Sequence, residues 1–135
     1  MHLLESIYFP SVLSIGDSFM SDGYNAIEEV DIPNVLSIGD EFLCGNNNVR
    51  RIEFQKLMSI GNNFMYANRI LKSVIAPKVE SIGHSFLNNN EEIESISFPN
   101  LKMIGDFFFK NNEEIKKVYL PEVENIRINF LLIFS

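Results

Sequence analysis

The sequence predicts an α/β solenoid, in which the chain forms a right-handed superhelix with one parallel β-sheet and with short helical or 3-10 turns on the opposite side. The first observation is repetition: SVIAPKVESIGHSFLNNNEEI at 73–93 returns, with changes, as SISFPNLKMIGDFFFKNNEEI at 95–115, a spacing of 22 residues. The second is the pattern inside each copy, where an alternating apolar segment ends at a proline and another apolar segment follows. Repeats of this length are typical of solenoids. We therefore assign residues 1–135 to one solenoid domain of about six repeats of 22 to 23 residues.

The first segment of each repeat is predicted to be a β-strand, because apolar and variable residues alternate in it. Its inward column is Ile7, Val30, Ile52, Val74, Ile96 and Val118. A proline stands three residues after this column in five of the six repeats. Because proline has no N–H to donate, it ends the strand there.

A short helix, α or 3-10, is predicted in the second half of each repeat. An Ile-Gly pair is followed there by Asp17, Asp40, Asn62, His84 and Asp106. Asp and Asn often cap helix N-termini by accepting a backbone N–H of the first turn. The apolar contact of this helix would be a phenylalanine two residues further on, at Phe19, Phe42, Phe64, Phe86, Phe108 and Phe130.

Asparagines form a further column at Asn46, Asn68, Asn90 and Asn112. One interpretation is a buried ladder, in which the side chains bond to backbone groups of neighbouring coils. The other is a polar, turn-forming loop in solvent. In either case one coil cannot bury its own apolar side, so the coils must stack to form a continuous core.

Composition restricts the possible partners. Eleven basic and 18 acidic residues give a formal net charge of −7, so a nucleic-acid partner is not expected. Cys44 is the only cysteine, which excludes an internal disulfide. No stretch reaches the roughly 18 apolar residues of a membrane helix, and the opening MHLLESIYFP lacks the features of a signal peptide. We expect no membrane insertion, and the compartment stays unknown.

No combination of residues in the sequence predicts catalysis, a cofactor or a metal centre, so we expect a protein that is not an enzyme. His84 is interpreted as part of the cap column and Cys44 as a loop residue with no reactive partner. The pairs Glu91-Glu92 and Glu113-Glu114 recur at a spacing of 22 residues. We interpret them as solvated surface charge, with a Ca²⁺ site as the alternative.

The pattern L-x-x-I-x-F-P-x-L-x-x-I-G-x-x-F resembles the leucine-rich repeat, and within it the BspA-like class found in surface proteins of some bacteria and protozoa. Ile82-Gly83, Phe86 and Pro77 carry the match. The alanine usual before the phenylalanine is replaced here by Ser18, Glu41, Asn63, Ser85 and Phe107. The resemblance implies protein–protein interaction or adhesion, suggests a cell-surface or extracellular location, and supplies no catalytic residues.

The face of the strands that points away from the core is the predicted binding surface, since side chains alternate across a strand. The candidate partner-binding residues are Tyr8, Glu29, Asp31, Arg51, Glu53, Ile75 and Tyr119. Glu29 and Arg51 are expected to pair across neighbouring strands. The leading hypothesis is a non-catalytic module that binds another protein through this face or through the loops, and an idle solvated face is the alternative.

The apolar C-terminal segment suggests a second function. Its candidate self-association residues are Phe130, Leu131, Leu132, Ile133 and Phe134. One alternative is that the chain is a fragment of a longer array. Otherwise these residues could fold over the last coil, or the two unlike ends of the solenoid could meet between molecules. The second arrangement would make a structural, self-associating repeat protein that stacks end to end into oligomers or filaments.

Overall fold

The computed structural model describes residues 3–21 and 26–127. Each coil contributes one three-residue strand, and we call this set of strands the long-strand row: β1 (Ser6–Tyr8), β3 (Glu29–Asp31), β5 (Arg51–Glu53), β7 (Ser73–Ile75), β9 (Ser95–Ser97) and β11 (Lys117–Tyr119). The short-strand row consists of two-residue strands: β2 (Ser14–Ile15), β4 (Ser37–Ile38), β6 (Ser59–Ile60), β8 (Ser81–Ile82) and β10 (Met103–Ile104).

All strand pairs are parallel and join one coil to the next, so the predicted parallel solenoid is confirmed. The predicted single sheet is wrong. The short-strand row is a continuous five-stranded sheet, whereas the long-strand row is linked in twos, as β1 with β3, β5 with β7 and β9 with β11. Two-residue strands are too short to show an alternating pattern in the sequence, which is why the second row was not predicted.

The predicted helical turns are absent from residues 3–21 and 26–127, so the α/β class is corrected to a β-solenoid. In the segments where helices were predicted, every second residue has a left-handed backbone. In the third coil, for example, Asn63, Met65 and Ala67 have φ of 57°, 48° and 59°. The N–H of Asn63 donates forward to His84 O at 2.9 Å, and the N–H of Met65 donates backward to Phe42 O at 2.8 Å. A helix needs these N–H groups for its own carbonyls, but here they join neighbouring coils.

The polar column that was predicted to cap helices forms a ladder along the solenoid. The N–H of Asp40 donates to Asp17 Oδ1 at 2.8 Å, and the N–H of Asn62 donates to Asp40 Oδ1 at 2.7 Å. The N–H of His84 donates to Asn62 Oδ1 at 2.7 Å, and Asp106 N–H donates to His84 Nδ1 at 2.8 Å. These side chains do accept a backbone N–H, as a helix cap would, but the N–H belongs to the next coil.

Phenylalanine rings stack along the centre of the core. Phe19, Phe42, Phe64 and Phe86 follow one another with ring centroids 5.6, 5.4 and 5.4 Å apart and nearly parallel planes. A second set of rings packs edge-on against this stack, as Phe54 does against Phe64 at 6.5 Å. Offset and edge-on ring pairs add to the burial energy of the rings, so the stack contributes strongly to stability.

The asparagine column is buried, which decides between its two interpretations. Asn46, Asn68, Asn90 and Asn112 have no exposed surface. The Nδ2 of Asn90 donates to Met65 O at 2.9 Å and to Asn88 O at 3.2 Å. Asn68 and Asn112 repeat this arrangement one coil before and one coil after. Each of these three side chains therefore fixes a carbonyl of the preceding coil.

Glycine in the Ile-Gly column allows neighbouring coils to approach closely. A Cβ atom added at Gly61 would overlap Asp40 Oδ1 and would lie 2.7 Å from Gly39 C, whereas one added at Gly16 would meet nothing within 4 Å.

Gly61→Ala is therefore expected to lower the free energy of unfolding by about 1–3 kcal/mol through overpacking. Gly16→Ala should change it by less than about 0.5 kcal/mol. Urea unfolding of both variants measures the difference, and equal effects would contradict the close approach.

Candidate functional site

The outward side of the long-strand row is formed by the residues that flank each inward strand residue. In β1, β5 and β9 the central side chain is buried and both neighbours are exposed. The first and last strands of the row carry Tyr8 and Tyr119, which are 65% and 59% exposed. Side-chain alternation therefore places this face in solvent, as the sequence predicts.

All seven predicted partner-binding residues lie on this face. Tyr8 stands opposite Asp31 on the neighbouring strand, and Glu53 stands opposite Ile75. Ile75 is half-buried, whereas the others are exposed. Tyr8 and Tyr119 belong to the first and last strands, so they do not form one aromatic cluster.

A cleft of about 830 Å³ lies between β3 and β5, the second and third strands of the row. Four predicted residues line it: Glu29, Asp31, Arg51 and Glu53. Strand pairing in the described part of the chain does not connect β3 to β5. The cleft therefore coincides with an interruption in the long-strand row.

The predicted pair between Glu29 and Arg51 is wrong. Arg51 Nη2 instead lies 3.2 Å from Glu53 Oε2, two residues further along the same strand. Residues i and i+2 of a strand share one side, so this partner is available without a contact across the cleft. The two side chains are 62% and 41% exposed, and an exposed pair of this kind contributes at most about 1 kcal/mol.

Acidic groups outnumber basic ones in the cleft. Glu28 and Arg50 add to the four predicted residues, giving four carboxylates and two guanidinium groups. Sequence analysis did not select Glu28 or Arg50, although each directly precedes an outward strand position that it did select. The sequence feature that could have identified these two residues is their position directly before the first outward residue of a strand.

The family of the chain follows from a comparison with family models. The model of the BspA type leucine rich repeat region matches residues 13–131 in six copies. The chain belongs to the BspA-type leucine-rich repeat family. The resemblance derived from the Ile-Gly and proline columns is thereby confirmed. Comparisons with curated proteins and with solved structures gave no significant match.

The two glutamate pairs of this BspA-type repeat lie beside one another. Glu91, Glu92, Glu113 and Glu114 line a common cleft. Within residues 3–21 and 26–127, however, no three His, Cys, Asp or Glu side chains come close enough to hold a metal ion. The same residues contain no helix of sufficient length and apolar character to cross a membrane.

Cys44 is a half-buried thiol whose Sγ donates to Asn63 O at 2.8 Å. Burial raises the pKa of Cys44, the nearby carboxylate of Glu41 raises it further, and a backbone hydrogen bond from Tyr66 opposes them. Because the thiolate is the reactive form, this environment fits the interpretation of Cys44 as unreactive.

The predicted self-association residues, Phe130, Leu131, Leu132, Ile133 and Phe134, lie outside the described residues. Sequence analysis also missed an apolar stripe beside the short-strand row of this BspA-type repeat. Leu13, Leu36 and Met58 are 59%, 43% and 38% exposed. They occupy one column, in which Glu80 and Lys102 stand in the next two repeats.

Proposed function

We propose that this BspA-type repeat protein is a non-catalytic, adhesion-type binding module that holds another protein on the outward side of its long-strand row. The observation that carries the proposal is the position of the seven residues, which share one solvent-facing side with a cleft between its second and third strands. Leucine-rich repeat families are associated with protein interaction, which supports this assignment. A cell-surface location is part of the same proposal.

The chemistry of the cleft favours a polar protein surface as the partner. Arg51 and Glu53 present both signs of charge within one strand, and Asp31 lies on the facing strand. Alternating charges define partner choice and orientation more than they add affinity. Arginine and tyrosine are also the side chains enriched in protein interfaces, so Arg51 and Tyr8 are the expected anchors.

End-to-end stacking is the second candidate, and one observation favours it. Leu4 in the first coil is 51% exposed, whereas Ile27, Val49 and Leu71, its equivalents in the next three coils, are fully buried. In the same coil, a Cβ atom added at Gly16 would meet no atom of the rest of the chain within 4 Å. Leu4 thus belongs to a column that is buried where coils stack, and a second copy is the occupant that this candidate requires.

One experiment separates the two candidates. In the test variant the charges of the cleft pair are exchanged (Arg51→Glu with Glu53→Arg). In the control the charges of an exposed pair outside the long-strand row, Glu80 and Lys102 at 3.8 Å, are exchanged in the same way. Proteins retained by the immobilised wild-type chain are identified by mass spectrometry, purified and titrated by calorimetry. We expect at least tenfold weaker binding to the test variant, about 1.4 kcal/mol, and unchanged binding to the control.

Analytical ultracentrifugation of the wild-type chain and its variants over a range of concentrations tests the stacking candidate. A concentration-dependent mass that survives the cleft exchange and disappears in Leu4→Glu favours stacking. If every retained protein binds the test variant and the wild type equally, the proposed binding face is wrong.

A further inference from the structure

Two aromatic residues of this chain stand in columns whose other members, among the described residues, are polar or small. Tyr66 occupies the position of Cys44, Asn88 and Lys110 in other repeats. Phe107 occupies the position of Glu41, Asn63 and Ser85 in other repeats. Neither residue is needed for the repeating core, because each replaces a non-aromatic residue that the same fold accepts.

Both aromatic residues border the same small pocket, although they are 41 positions apart in the sequence. The pocket has a volume of about 260 Å³. It lies beside the segments with left-handed backbone in the third, fourth and fifth coils. Tyr66 is 40% exposed and Phe107 is half-buried. The remaining lining is polar: Ser85, Asn88, Asn89 and Asn111, together with Lys110.

Contacts between coils hold these polar groups in place. Asn111 Nδ2 donates to Asn89 Oδ1 at 2.7 Å, and the N–H of Lys110 donates to Asn88 Oδ1 at 2.9 Å. The ammonium group of Lys110 lies 5.7 Å from the centroid of the Phe107 ring. The pocket is therefore formed before any ligand binds, which reduces the entropy cost of binding.

A larger groove of about 930 Å³ continues from the pocket and shares Tyr66, Asn89 and Asn111 with it. Five carboxylates line this groove, from Glu91, Glu92, Glu94, Glu113 and Glu114. The one basic residue in its lining is Arg69, whose Nε lies 3.8 Å from Glu91 Oε1. The groove therefore accepts hydrogen-bond donors and repels anions.

We propose that the pocket and groove bind an oligosaccharide of uncharged sugars, with one ring in the pocket and the following units along the groove. A sugar ring offers an apolar C–H face, which packs on the rings of Tyr66 and Phe107, and a rim of hydroxyls, which amides and carboxylates recognise. A volume of 260 Å³ equals roughly nine molecules of liquid water, the space of a single ring. The surrounding carboxylates disfavour sulfated and uronic-acid chains.

Substitutions that the repeat itself already contains provide the test. Tyr66→Asn and Phe107→Asn introduce the residues found at the equivalent positions 88 and 63. Asparagine is also among the residues that best tolerate the left-handed backbone of residue 107, whose φ is 61°. The matched control is Glu41→Asn, in the same column as Phe107 but away from the pocket. Lys110→Gln is a further variant, which removes only the charge beside the aromatic ring.

The full chain and these variants are applied to an array of chito-, cello- and manno-oligosaccharides and of sulfated heparin fragments, and hits are titrated by calorimetry. We expect at least one uncharged series to bind, at least tenfold loss in each aromatic variant, and no change in the control. Thermal melting checks folding, and Lys110→Gln provides the comparison if an aromatic variant melts early. The proposal is overturned if no uncharged oligosaccharide binds, if the aromatic and Lys110 variants bind like the wild type, or if heparin fragments bind best. It is also overturned if a lysine-rich peptide, but no sugar, binds in a Tyr66-dependent way.

Discussion

Asn90→Asp is expected to lower the free energy of unfolding by about 3–5 kcal/mol, a large share of the roughly 5–15 kcal/mol that stabilises a typical domain. The carboxylate has nearly the shape of the amide, but it replaces the two hydrogen bonds that Asn90 Nδ2 donates to Met65 O and Asn88 O. Three acceptors would then face one another at a site with no exposed surface. An unpaired buried charge of this kind is among the most costly single changes.

Far-ultraviolet circular dichroism and urea unfolding measure this loss. Asn100→Asp is the matched control, because Asn100 also donates to a carbonyl of the preceding coil, Pro77 O at 2.8 Å, but is exposed. The control should lose less than about 1 kcal/mol, since water can solvate both groups. Similar losses in the two variants would show that the asparagine column does not act through burial.

Phe64→Ala is expected to lower the free energy of unfolding by about 3–5 kcal/mol, the usual cost of removing a buried ring and leaving a cavity. Phe64 has no exposed surface and is stacked between Phe42 and Phe86, with both centroid distances at 5.4 Å. The loss should lower the melting temperature by at least about 10 °C for a domain of this size.

Phe19→Ala is the control for the phenylalanine stack. Phe19 is half-buried and stands at one end, with a single stacked neighbour, Phe42. Its loss should therefore be about half that of Phe64→Ala or less. Calorimetric melting of both variants gives the comparison, and a larger effect at Phe19 would contradict the assignment of the stack as the centre of the core.

The repeat determined most of the fold because each buried column keeps one chemical character. Within the described residues, the inward strand column lies in the strands, where Ile7, Ile52, Val74 and Ile96 are buried, and Phe42, Phe64, Phe86 and Phe108 of the phenylalanine column are buried in the core. Val118 of the last strand is exposed. The helix was predicted wrongly because Asp and Asn accept a backbone N–H equally well at a helix cap and in a ladder between coils. Only the neighbouring coil decides between the two, and local sequence contains no information about it.

The binding face was predicted by strand alternation, which depends only on the period of two. The pairing of Arg51 was predicted wrongly, because the repeat register places Glu29 on the preceding strand and the strand period places Glu53 on the same side, and the choice between them depends on side-chain geometry. The cleft between β3 and β5 and the pocket between Tyr66 and Phe107 could not be predicted. Both arise from the way in which separate coils meet.

The alternating linkage of the long-strand row has a mechanical consequence. Hydrogen-bonded strands join every neighbouring coil on the side of β2 to β10, whereas on the other side they join β1 with β3, β5 with β7 and β9 with β11. The short-strand row is therefore continuous, whereas the long-strand row consists of three hydrogen-bonded pairs of strands. The junctions between these pairs lie between β3 and β5 and between β7 and β9. A bending force would separate the coils first at these two junctions, where no strand pairing resists it. The cleft lies at the junction between β3 and β5. A ligand that contacts both β3 and β5 would stiffen the solenoid against bending.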